Sequence, residues 1–135
     1  MAEREFLRVL LVCGAAQADQ LKFTADLAPG PGITSSGKGA ATASLDTATK
    51  TLTWSVEYSG LSGPATAAHI HGPADPGADA GVVVPFTGNL ASPIKGSATL
   101  TDTQIAQLEA GKWYVNIHTA ANKGGEIRGQ LVHAS

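Results

Sequence analysis

The chain of 135 residues contains one thiol, Cys13, so no disulfide framework forms within a copy and no thiolate cluster can hold a metal. Charge is sparse too: Asp, Glu, Lys and Arg make up 15% of the sequence, and the formal net charge is −2. Lys and Arg are nowhere clustered, which excludes the concentrated positive surface that a phosphate backbone requires. No apolar run reaches the length of a helical membrane span. There is no G-x-S-x-G turn and no Cys–His pairing for nucleophilic catalysis, and paired carboxylates for glycoside chemistry cannot be argued.

What the sequence has in quantity is turn-formers. Sixteen glycines and seven prolines punctuate a chain that is 43% hydrophobic, which suits one domain of short strands around an ordinary core. The first eighteen residues differ from the rest. Arg4 and Arg8 lead into the apolar stretch 9–16, which ends at Ala16-Gln17-Ala18 before Asp19. That is the layout of a secretory signal peptide, although Glu3 and Glu5 dilute its positive end. Residues 1–18 are thus expected to be a leader and 19–135 an exported domain, secreted or periplasmic. After cleavage no membrane span remains. Cys13 leaves with the leader in this reading; lipidation of Cys13 ranks second, because Val12 stands where lipoprotein signals carry a small residue.

From Asp19 onward, short alternating runs are separated by turn signals. Strands are expected at 21–27, 39–45, 51–58, 67–71, 82–84, 94–100, 113–118 and 126–132. The third is the cleanest, with Leu52, Trp54, Val56 and Tyr58 on one side and Thr53, Ser55 and Glu57 on the other. One helix is expected over 101–110, capped by Thr101 or Asp102 and stopped by Gly111. About eight short strands, one short helix and no βαβ alternation predict an all-β fold, an antiparallel Greek-key or immunoglobulin-like sandwich. Trp54 and Trp113 are expected to anchor its core.

The four histidines carry the functional signal. His69 and His71 flank Ile70, and side chains at i and i+2 of a strand share a face. His118 ends a second strand-like run, Trp113-Tyr114-Val115-Asn116-Ile117-His118, which can bring a third imidazole to the first two. Imidazole nitrogen suits copper and zinc, so His69, His71 and His118 are the candidate metal ligands. Asn116 shares a face with His118, and Glu126 is a candidate carboxylate to orient its ring. The plainer reading of Glu126 and Arg128, on either side of Ile127, is a solvent-facing pair or a turn-stabilising salt bridge. Asp75 and Asp79 read as loop residues that keep the chain soluble, and His133 as an exposed tail residue.

Gly60-Leu61-Ser62-Gly63 leads into Ala68-His69-Ile70-His71-Gly72-Pro73-Ala74. Later come Gly111-Lys112-Trp113-Tyr114-Val115-Asn116-Ile117-His118-Thr119 and Gly125-Glu126-Ile127-Arg128-Gly129-Gln130-Leu131. Together these resemble the CHRD domain, a module of chordin and of secreted bacterial proteins, over about Gln20 to Val132. Lys123 departs from the pattern, standing where many relatives have a proline. The resemblance implies an immunoglobulin-like or Greek-key sandwich and little about chemistry. A more distant likeness is to the Cu,Zn superoxide dismutases, whose copper ligands include a His-x-His and a later strand histidine, similar in order to His69, His71 and His118. The bridging and zinc-site histidines have no counterpart, so this likeness implies a mononuclear copper site.

Three functions follow as expectations. The first is an exported binding module holding copper, with zinc as the alternative, for storage, buffering or sensing. The second is a structural or adhesive module whose partner is an extracytoplasmic protein. The third is a copper oxidoreductase of superoxide.

Overall fold

The computed structural model describes residues 19–134. The expected leader and Cys13 lie outside the described residues. Apolar–polar alternation becomes strand wherever the sequence carries it. The elements are β1 (Gln20–Pro29), β2 (Lys38–Asp46), β3 (Thr51–Ser59), β4 (Ala65–His71), β5 (Val82–Pro85) and β6 (Ile94–Thr99). They are followed by α1 (Asp102–Glu109), β7 (Tyr114–Thr119), β8 (Ile127–Gln130) and β9 (Val132–His133).

All pairings are antiparallel, and the strand order is β5-β4-β7-β8-β1-β2-β3-β6, with β9 also on β1. β1 belongs to both layers: Gln20 to Leu27 pair with β2, while Ala28 and Pro29 pair with β8. The sheet therefore curls at β1 into a barrel-like sandwich. The connections β3–β4, β5–β6 and β6–β7 cross between the layers, which gives the Greek-key character expected. A close backbone approach makes the curl possible. A Cβ on Gly129 would stand 2.1 Å from the Asp26 carbonyl oxygen, so only glycine lets β8 meet β1 there.

The inner faces carry the core. Phe23, Leu45, Leu52 and Val56 from one layer meet Ile70, Val115, Ile117 and Ile127 from the other, all fully buried or within 1% of it. Trp113 is buried and donates its Nε1–H to Gln107, and Trp54 stacks on Phe86 at 4.9 Å, so both tryptophans anchor the core as expected. α1 begins in a capping box, in which Gln104 N donates to Thr101 Oγ1 at 3.1 Å and Thr101 N donates to Gln104 Oε1 at 2.9 Å. It ends at Gly111, whose φ of 75° no β-branched residue would tolerate.

Two expectations change at the C-terminus. The run 126–132 is two strands: β8 pairs with β7, the chain breaks step at buried Leu131, whose N donates to the Trp113 carbonyl, and β9 pairs with β1. His133 is exposed, yet it is tied into β9 opposite Phe23, with the two rings 4.6 Å apart. Among the described residues no helix is long and apolar enough to cross a membrane.

Candidate metal centre

The seam between β4 and β7 builds the site. Its register pairs His71 with Tyr114, His69 with Asn116 and Ala67 with His118. By the two-residue period these side chains share the outer face, while Ala68, Ile70, Val115 and Ile117 fill the core behind them. The small Ala67 opposite His118 leaves space on its own row. The His118 ring lies instead on the diagonal towards His69, a separation that long side chains bridge readily.

The three rings converge. Ring centroids are 5.0 Å apart for His69 and His118, 5.4 Å for His69 and His71, and 6.0 Å for His71 and His118. One nitrogen from each lies within 4.8 Å of the other two, and His69 Nδ1 stands 3.1 Å from His118 Nε2. Two nitrogens bound to one Zn or Cu ion at about 2.0–2.1 Å and a tetrahedral angle stand ~3.3 Å apart. That pair already has the spacing, and His71 needs a modest inward shift to complete the set. His71 is 9% exposed and the other two rings are half-buried, so an ion would enter from the His69–His118 side.

Backbone carbonyls choose the tautomers. His71 Nδ1 lies 2.9 Å from the Ala80 carbonyl oxygen, and His118 Nδ1 lies 2.8 Å from that of Lys123. A carbonyl only accepts, so both Nδ1 atoms carry the proton and both Nε2 atoms are unprotonated acceptors. The Nε2 atom of His71 is buried with no hydrogen-bond partner. A buried acceptor left unpaired costs free energy, and a cation at this point satisfies it. Burial first, then the His118 and His71 rings, holds His69 below the usual histidine range. His71 is also lowered by burial, with the Ala80 carbonyl acting in the opposite direction. Both rings are thus kept neutral, as ligation requires. Among the described residues, no carboxylate or cysteine joins this group. Three protein nitrogens with an open side leave a position for water or an exchanging ligand.

A stack of side chains braces His71. The Tyr114 ring lies parallel to it at 5.0 Å and 6°, and the Arg128 guanidinium sits 3.9 Å from the Tyr114 centroid. Arg128 also donates to Asp79 at 2.6 Å and to the Ala78 carbonyl at 2.5 Å. Tyr114 Oη accepts from Ala80 N at 3.0 Å. Together they pull the loop between β4 and β5 onto the site and place the Ala80 carbonyl against His71. Asp79 is therefore a loop anchor as well as a surface charge, and Asp75 pairs with Lys112.

The hydrogen bonds of Asn116 and Glu126 go to groups other than the imidazole rings. Asn116 lies opposite His69 in the ladder, but its Nδ2 donates to the Gly124 carbonyl at 3.2 Å. Glu126 is 0% exposed, which corrects the expectation of a solvent-facing pair with Arg128. Its carboxylate accepts from Ser35, Ser62, Thr119 and Asn122, and His118 is oriented by the Lys123 carbonyl instead. The donors Ser35 and Ser62 come from loops remote in sequence, and Glu126 itself gave no local sign of burial. The bracing role of Tyr114 had a signal in its i, i+4 position relative to His118 on one strand face.

The CHRD domain family model matches residues 23–131, which takes in most of β1, all of β2 to β8, the three histidines and Glu126. No curated protein and no solved structure matches the chain. With four-fifths of its length covered by that one match, the chain belongs to the CHRD domain family.

Proposed function

We propose that this CHRD domain is an exported module that binds one copper ion through His69, His71 and His118, for storage, buffering or sensing. The observation that carries this reading is the lone pair of His71 Nε2, buried without a partner in a group of three converging imidazoles. Copper is chosen on the chemistry of the donors. An all-imidazole set without carboxylate or thiolate suits copper, divalent copper stands above zinc in the usual affinity order, and three nitrogens also satisfy Cu(I). Zinc is the alternative ion for the same donors. The open side fits exchange of the ion with a carrier, as storage or sensing demands. Catalysis has less support: Arg128, the cation beside Tyr114, is held by Asp79 and Ala78.

Copper titration under competition with a chromophoric chelator tests the site, comparing wild type with His71→Ala. One tight equivalent in wild type, lost in the variant, is the expected result; equal weak binding by both removes the proposal. Export is tested by the mass of protein recovered from the periplasm or medium. A chain beginning at Asp19 is expected, and an intact residue 1–18 segment in the cytoplasm contradicts it.

A further inference from the structure

Glu126 presents a puzzle that the metal reading leaves open. Its carboxylate is fully buried, and its partners are all neutral: Ser35 Oγ at 2.6 Å, Ser62 N at 2.9 Å, Ser62 Oγ at 2.6 Å, Thr119 Oγ1 at 2.7 Å and Asn122 Nδ2 at 3.1 Å. A charge taken out of water needs this density of donors to stay ionised. Hydrogen bonds from Ser35 and Ser62 first, with Thr119 adding to them, outweigh burial and hold the carboxyl far below the usual carboxylate range.

The donors fall into two groups. Ser35 and Ser62 belong to the β1–β2 and β3–β4 connections, whereas Thr119 ends β7 and Asn122 lies in the turn from β7 to β8. Asn122 is the pivot of that turn. Its N donates to Thr119 Oγ1, and its carbonyl accepts from Thr119 N at 3.3 Å and from Gly125 N at 3.0 Å. The next residue is Lys123, whose carbonyl accepts a hydrogen bond from His118 Nδ1. Thr119, the other donor, directly follows His118 in β7. The carboxylate therefore grips the turn at two points that precede the carbonyl orienting the ring, the second of them the adjacent residue.

We propose that Glu126 is a positioning residue for the metal centre, acting through Asn122 and the Lys123 carbonyl to fix the tautomer and direction of His118. It does not touch the ion. It replaces the direct carboxylate–imidazole bond with a carboxylate that shapes the turn. This rests on the metal reading for its consequence, but the tautomer of His118 is observable without any ion.

Two single-bond deletions separate positioning from plain stability. Asn122→Ala and Ser35→Ala each remove one hydrogen bond to Glu126, the first inside the turn and the second far from it. Imidazole 15N NMR of the metal-free protein is expected to show His118 as the Nδ1–H tautomer in wild type and Ser35→Ala, and as a tautomer mixture in Asn122→Ala. Copper affinity by chelator competition should fall about 10-fold or more in Asn122→Ala, the loss typical of removing an outer hydrogen-bond partner, and stay within about 2-fold in Ser35→Ala. Glu126→Gln, if it folds, should follow Asn122→Ala in both readouts. Equal behaviour of Asn122→Ala and Ser35→Ala in the NMR overturns the proposal. A wild type that holds the expected tautomer yet binds no copper would overturn the metal reading alone and leave the positioning of His118 standing.

Discussion

His69 Nδ1 and His118 Nε2 lie 3.1 Å apart although 49 residues separate them in the chain. With His118 Nδ1 committed to a carbonyl, its Nε2 is an acceptor, so in the metal-free protein His69 donates to it. Loading an ion must remove that proton from His69 Nδ1. Ligation through His69 Nδ1 is thus expected to move that proton to His69 Nε2, a change of tautomer that leaves the ring neutral, and the three rings become one unit.

Copper should stabilise the folded domain by mass action. At free copper about 100 times the dissociation constant the gain is about 2.7 kcal/mol, a Tm rise of roughly 10 °C for a domain of this size. Calorimetry of wild type and His71→Ala, each with and without copper, checks this. The rise should vanish in the variant.

The pH dependence follows from the lowered His69 and His71 values. Burial is the main cause in both, with neighbouring imidazoles adding to it. In the unfolded chain these rings titrate near ~6.5, so on acidification the unfolded state takes up protons first. Their contribution to stability is complete above about 6.5 and is lost as the pH falls through the lower folded values. Urea midpoints of the metal-free protein should therefore drop between pH 7 and pH 5. The double variant His69→Gln, His71→Gln should show a shallower slope.

Glu126 acts in a lower window. Its folded value lies far below the ~4.3 of an unfolded glutamate, so its contribution is present above about 4.3 and lost as the pH falls further. Glu126→Gln should cost about 3 kcal/mol near neutral pH, since it removes hydrogen bonds to a buried charge. Denaturation at pH 7 and at pH 2.5 is the check. The difference between variant and wild type should shrink in acid.

Gly125 sits at φ 123°, and a Cβ there would lie 2.1 Å from Asn116 Oδ1. Gly125→Ala should destabilise the domain by about 3 kcal/mol or more, combining backbone strain with the clash. Because the same turn carries Lys123, copper affinity should fall with it. Thermal unfolding and chelator competition on the one variant measure both effects.

The fold was legible because burial on one side leaves a period of two. Leu52, Trp54 and Val56 alternate with Thr53 and Ser55 and are buried as that pattern requires. Thr101 and Gly111 likewise marked both ends of α1. The pairing of His69 and His71 followed from the same period. The diagonal meeting with His118 depends on the β4–β7 register, with Ala67 opposite His118, and a register is a property of two strands that neither sequence states alone. The burial of Glu126 was hidden for a related reason: Ser35 and Ser62 reach it from 91 and 64 residues away. The break at Leu131 was also invisible, because an apolar residue continues an alternating run whether or not the strand changes partner.

The most direct test is X-ray absorption on the copper-loaded domain with its stoichiometry measured. One ion per chain with three imidazole nitrogens at about 2.0 Å is the expected result, falling to two in His71→Ala. A first shell with fewer than three imidazoles in wild type, or a spectrum unchanged by that substitution, would contradict the centre.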